Sequence, residues 1–226
     1  MSIRKAINKL NPLIKIRSDG YKKKLVNKDF SILCPSCIGG MISHDLGQRF
    51  LSPTVNTMML QSDFIKFVLN LEGYLNGRFE FFKHREYTCP CAYLKSEGLD
   101  DIIVHFTHYK TPEEGETKWI ERAKRINYDN IFVVLSERDG VTKEDIEELK
   151  KLKYKGIAVF TAHNYPDIPY AIYMKKYSKG GIVGNVLSQS IITGKHEYEK
   201  IFDFVKWFNE ANGGNYDVSK YIKKKG

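Results

Sequence analysis

The sequence has no apolar run longer than a strand, so no segment is expected to cross a bilayer as a helix. Its first residues lack the apolar core of a signal peptide, and the chain is therefore expected in the cytoplasm. Cysteine is scarce, four residues in 226, and in that compartment disulfides are not expected. Acidic residues nearly vanish from the start: residues 1–28 hold nine Lys or Arg against Asp19 alone, a net of +8. Most of the whole-chain charge of +9 thus sits there, and the remainder is close to neutral. Basic residues interleaved with exposed aromatics are also missing from the central strands, so nucleic acid is not an expected partner. The glycine-rich stretch from Lys179 to Asn185 lacks the Lys-Ser/Thr of a P-loop and is a weak phosphate signal.

What is present is a globular composition long enough for one substantial core. Between Asp101 and Asn164, three short apolar runs (IIVHF, IFVVL and GIAVF) alternate with two helical patterns. That is the pattern of a βαβαβ unit with parallel strands. The fold class expected is α/β, a Rossmann-like three-layer sandwich with a mainly parallel sheet in a single domain. A basic amphipathic segment (1–28) precedes the α/β domain (29–212), and a basic tail (213–226) follows it. A helix with Ser62 as N-cap is expected over 63–76, a strand over 79–82, a loop over 83–100 and a last amphipathic helix over 196–209. The basic ends suit an anionic membrane surface, which would place the protein at the inner face of the membrane. A solvated terminus, or an apolar stripe packed on the domain, explains them as well.

In parallel sheets ligands bind beyond the carboxyl ends of the strands. Those ends deliver His108, Tyr109 and Lys110, then Ser136 and Asp139, then His163 and Asn164. If the run at Phe30 joins in parallel, Cys37, Gly39, Gly40, His44, Asp45, Ser52 and Thr54 face the same edge. Paired glycines there would let the backbone turn sharply or approach a ligand closely. Strand alternation separates His105 from His108, so the two do not share a metal, and His105 reads as a core residue. The helix after Thr111 opens on Pro112-Glu113-Glu114, an acidic first turn that disfavours phosphate at that end. Arg122 and Arg125 lie along it at a spacing suited to an anion or to a solvated face. Cys34-x-x-Cys37 and Cys89-x-Cys91 offer four thiols, but Cys-Pro-Cys is a strained substitute for a zinc knuckle. Neither a metal nor a cofactor is assigned.

Several motifs carry a wider resemblance. They are Cys37-Ile-Gly-Gly, Asp45-Leu-Gly, Ser52-Pro-Thr-Val, Asp63-Phe-Ile-Lys-Phe, His105-Phe-x-His108-Tyr-Lys, Trp119-x-x-Arg-x-x-Arg-Ile-Asn127, Asp129-Asn-Ile-Phe-Val and Ser136-x-Arg-Asp-Gly140. Together, over roughly residues 28–210, they resemble the bacterial unknown-function domain family, nineteen-nineteen in that series. Its members are often labelled exopolysaccharide or capsular polysaccharide biosynthesis proteins. Pro35-Ser36 stands where the family has Asn-Asn, and Cys34, Cys89 and Cys91 match nothing in its pattern. The resemblance implies an α/β domain associated with surface-glycan assembly. A transferase acting on a sugar or sugar-phosphate substrate is the reading it favours.

In that reading His108 is the general base, Asp139 or Asp45 orients it, and Lys110, Arg122 and Arg125 hold an anionic group. The alternatives are a hydrolase with Cys37 as nucleophile and His44 or His163 as base, or a non-enzymatic glycan-binding or assembly protein.

Overall fold

Two strands in which every residue is buried, Ile131–Ser136 and Gly156–Thr161, fix the centre of the molecule. The computed structural model describes residues 12–184, 186, 188, 190 and 193–223. The expected helical segment over residues 2–11 and the lysines at 224 and 225 lie outside the described residues. In chain order the elements begin with α1 (Pro12–Lys24), β1 (Ser31–Leu33), α2 (Cys37–Asp45), α3 (Gln61–Leu69) and α4 (Leu71–Leu75). Next come β2 (Arg78–Phe82), β3 (Cys91–Lys95), β4 (Ile102–His105), α5 (Pro112–Ala123), β5 (Ile131–Ser136) and α6 (Lys143–Glu148). The chain continues through β6 (Gly156–Thr161), β7 (Ala171–Tyr173), β8 (Ser178–Lys179), β9 (Ile182–Val183), α7 (Glu197–Ile201) and α8 (Phe204–Glu210).

The result is a mixed α/β domain. A four-stranded sheet in the order β1-β5-β6-β7 is parallel throughout, a three-stranded sheet β2-β3-β4 is antiparallel, and β8-β9 is a small hairpin. Apolar runs without alternation are what a strand covered on both faces requires. On one face Phe132 meets Trp207 and Phe208 of α8, with ring centres 4.8 Å apart in each pair, and Phe30 stacks on Phe208 at 4.2 Å. A second aromatic cluster, Phe67, Phe79, Phe106 and Trp119, fills the space between α3, α5 and the antiparallel sheet.

The βαβαβ expectation holds for β5-α6-β6 but not for its first strand. Residues 102–105 pair antiparallel with β3, and the partner of β5 is β1, far upstream. A four-residue apolar run marks a strand without naming its neighbour. The stretch 83–100, expected as a loop, contains β3. The helix expected over 63–76 starts at Gln61, with Leu60 rather than Ser62 at its cap, and breaks at Asn70 (φ −129°, ψ 42°). The last helix is likewise split: Asp203 leaves helical geometry and accepts the Lys206 N–H, starting α8 afresh.

Gly39 and Gly40, expected at a sharp turn or a close approach to a ligand, lie inside α2, where they let the helix approach β1 and the following loop. A Cβ on Gly39 would stand 2.9 Å from Cys34 Cβ and 3.2 Å from Ile32 Cγ2. Both atoms are held by the chain itself, so relief requires moving α2. Gly39→Ala is expected to destabilise by about 1–2 kcal/mol, the overpacking cost outweighing the gain in helix propensity. A thermal melt showing equal or greater stability would contradict this packing.

Candidate functional site

The end of β1 is set rigidly. Cys34 is buried and donates its N–H to Thr54 Oγ1 (3.2 Å), which in turn contacts Ser52 Oγ (2.9 Å). Ser36 is extended and caps α2, so Cys37 is the first helical residue. No acid occupies the first turn of α2, in contrast to α5 with Glu113 and Glu114, so no side-chain charge offsets the positive end of its dipole.

The segment after α2 then ties the two sheets together. Met59 N–H donates to Pro35 O (3.0 Å), while Met58 and His105 exchange both backbone hydrogen bonds at 2.8 Å. The end of β4 is thereby brought beside the end of β1. His108, three residues beyond β4, places Nε2 3.3 Å from the Cys37 thiol.

Cys37 is half-buried and His108 exposed. Burial pushes the Cys37 thiol above its ordinary value, so it would need a neighbouring base to react as a thiolate. The imidazole beside it is that of His108, not of His44 or His163. The His44 ring faces Asp45 Oδ1 at 3.4 Å, and that of His163 faces Glu137.

A cleft of about 440 Å³ opens beside this pair, lined in part by Ser36, Gln61, Tyr87, Ser136, Arg138 and Asp139. Ser36 and Ile38, on either side of Cys37, belong to its wall; Cys37 and His108 lie outside its lining. Ser136 is buried, with its N–H on Gln61 Oε1 (3.2 Å). Asp139 takes a left-handed backbone (φ 56°) ahead of Gly140 (φ 82°) and turns Oδ1 toward Arg138 Nε at 3.4 Å. Arg138, which the sequence reading passed over, is thus the cation of this cleft.

The second polar centre was not foreseen. Glu137, the first residue past β5, is buried, and its carboxylate accepts the Ala162 N–H (2.6 Å), the His163 N–H (3.2 Å) and the Tyr165 hydroxyl (2.6 Å). It also lies 2.7 Å from His163 Nδ1. Burial alone would raise this carboxyl, but the hydrogen bonds from Tyr165, His163 and Ala162 together hold it below the ordinary glutamate range. The Tyr165 hydroxyl is correspondingly pushed far up by burial and by that carboxylate. A charged residue at the end of an apolar strand was the available signal; its partners arrive from the end of β6, a quarter of a hundred residues later in sequence terms and adjacent only in space.

The remaining candidates fall elsewhere. Asp45 pairs with Arg17 of α1, and Arg17 also bonds Glu199 at 3.1 Å. Asp45, His196 and Glu199 have donor atoms within 4.8 Å of one another, but the Arg17 guanidinium already supplies their cation. Arg122 is buried and donates to Val55 O (2.6 Å) and the Tyr109 hydroxyl (2.5 Å), with Phe50 and Tyr109 against its face. It braces the loop after α2 rather than facing a ligand.

Arg125 pairs with Glu121 at 3.5 Å. Lys110 is exposed and donates its backbone N–H to Glu114. Asn164 is exposed on the loop past β6. The four cysteine sulfurs do not converge: Cys34 is buried just past β1, Cys37 faces His108, and Cys89 and Cys91 gather at His105.

With the geometry established, comparison with known sequences places the chain. The family described as Domain of unknown function (DUF1919) matches residues 9–209. The chain belongs to this family. A Haemophilus influenzae (strain ATCC 51907 / DSM 11121 / KW20 / Rd) protein described as "Uncharacterized protein" is similar to it, 35% identical over 209 residues. The match covers 92% of this chain and 97% of that protein. The matched span of the DUF1919 domain includes Cys37, His108, Glu137 and His163. Among the described residues, no helix is long and apolar enough to cross a membrane.

Proposed function

We propose that this DUF1919 protein is a thiol-dependent transferase, moving an acyl group onto a hydroxyl of a sugar or sugar-phosphate substrate in surface-polysaccharide assembly. The observation that carries it is the 3.3 Å contact between Cys37 Sγ and His108 Nε2 beyond the ends of β1 and β4. His108 takes the thiol proton, and the thiolate adds to the donor carbonyl. Collapse expels the leaving group, which takes the proton back from His108 and leaves a thioester on Cys37. In the second half His108 deprotonates the acceptor hydroxyl, that oxygen adds to the thioester carbonyl, and the Cys37 thiolate departs and takes that proton back from His108. The start of α2, free of acids, favours the oxyanion formed in each half. Arg138 suits a phosphate or carboxylate on the substrate.

The Rossmann-like, three-layer description belongs to the same reading. It is supported by the parallel order β1-β5-β6-β7 and by aromatic and helical cover on the central strands. Attachment to an anionic membrane surface is supported by α1, where Leu13 and Ile16 are 45% and 65% exposed among Lys15, Lys22, Lys23 and Lys24.

The direct test is to incubate the purified protein with a thioester-activated acyl donor and weigh it intact. A single added acyl group is expected, mapped to Cys37, absent in Cys37→Ser, and released on adding a hydroxyl-bearing sugar. An unmodified protein across a donor panel, or label on other cysteines alone, would sink the acyl-transfer reading.

A further inference from the structure

Away from the Cys37–His108 pair, a second cluster of sulfur and nitrogen donors lies at the start of β3. Cys91 and His105 are direct cross-strand partners in the antiparallel β3–β4 register, and both are buried. Cys91 Sγ is 3.3 Å from His105 Nδ1. Cys89, two residues before Cys91, is half-buried, and one donor atom from each of the three residues lies within 4.8 Å of the others. Cys89 lies in the bend just before β3, and this turn brings its sulfur to the side where Cys91 meets its register partner. Pro90 does not obstruct this: its carbonyl accepts the Phe106 N–H at 2.8 Å and anchors the turn to the end of β4.

We infer that Cys89, Cys91 and His105 bind one divalent cation of the zinc class. Tetrahedral zinc with thiolate and imidazole ligands separates sulfur from nitrogen by about 3.5 Å and sulfur from sulfur by about 3.8 Å. The three donors therefore need only small adjustments. Two thiolates and a neutral imidazole cancel the charge of the ion, which suits a buried position. Both thiol protons pass to solvent as the metal binds. Affinity should accordingly rise with pH.

Two rings cover the site, Tyr87 at 4.3 Å and His84 at 5.6 Å between centres from His105. Tyr87 also lines the cleft beside Ser36. The ion would therefore pin the segment between β2 and β3 against one wall of that cleft, a structural role that does not depend on the proposed transferase chemistry.

The test uses the full chain, reduced and stripped of metal, titrated with Co²⁺ and Zn²⁺. One equivalent should bind, with a thiolate-to-cobalt charge-transfer band and the intense visible bands of a tetrahedral site, and zinc should raise the melting temperature. Cys34→Ser with Cys37→Ser should bind like the unaltered protein, whereas Cys89→Ser and Cys91→Ser should each weaken binding by at least ~100-fold. Should the buried Cys91→Ser fail to fold, the half-buried Cys89→Ser decides the matter, with circular dichroism confirming its fold. Absence of stoichiometric binding in the unaltered protein, full binding by folded Cys89→Ser, or loss in the Cys34/Cys37 variant would each overturn the site.

Discussion

Changing Cys37 to Ala is expected to reduce acyl transfer by on the order of 10⁴- to 10⁶-fold, and His108→Ala by about 10²- to 10⁴-fold. The two side chains act as one unit at 3.3 Å, so the double variant should be no slower than Cys37→Ala alone. In a strain that depends on the protein for its surface glycan, both single variants should lose the product. The pairing can also be tested without a substrate, by following alkylation of Cys37 against pH. Burial raises this thiol's pKa, so its reactivity at neutral pH depends on His108. Alkylation in His108→Ala should therefore set in at higher pH than in the unaltered protein. Identical alkylation profiles would show that the contact is packing alone, and the catalytic assignment would fall with it.

The largest stability effect is expected at Glu137. Its carboxylate receives two backbone N–H groups, from Ala162 and His163, as well as the Tyr165 hydroxyl. Glu137→Ala strands these donors at the end of β6 and should cost about 3 kcal/mol, on the scale of a few buried groups left unpaired. For a chain of this length that corresponds to a fall of roughly 6–12 °C in melting temperature. The sign of the pH dependence follows from the lowered carboxyl pKa. A group whose folded pKa lies below its unfolded one contributes its full stability above the unfolded value, the ordinary 4.5 of glutamate. That contribution is lost as pH falls through the lower folded value. Acidification below about pH 4.5 should therefore destabilise the unaltered protein more than Glu137→Gln, which carries no such titration. Equal acid limbs for the two proteins would show that the carboxylate charge is not what holds the loop.

The sequence reading met the site unevenly, for reasons visible in particular residues. Cys37 and His108 were both singled out, but in competing schemes: one as a nucleophile paired with other histidines, the other as a base without a thiol. The pairing depends on Met58 and Met59 stitching β4 to the end of β1, a backbone link that no side-chain pattern announces. Arg122 and Arg125 were spaced as an anion site is spaced. The same spacing serves an inward guanidinium bonded to Val55 O and an i,i+4 ion pair with Glu121, and tertiary packing chose those roles. Gly39 and Gly40 suggest a sharp turn or a close approach to a ligand; the structure places them within α2, against Ile32, Cys34 and Val55.

By itself the sequence determined the elements whose signals are local. These include the buried runs of β5 and β6 and the Thr111-Pro112 start of α5. Caps, apolar periodicity and turn residues act within a few positions, so they can be read there. Only the tertiary structure decided which strands are neighbours and which polar groups meet. Pairing β1 rather than β4 with β5, setting Cys91 opposite His105 and closing Glu137 around the end of β6 each join residues distant along the chain. Such contacts are selected by the packing of the whole core and by the need to satisfy every buried polar group, and both are properties of the folded molecule rather than of any segment.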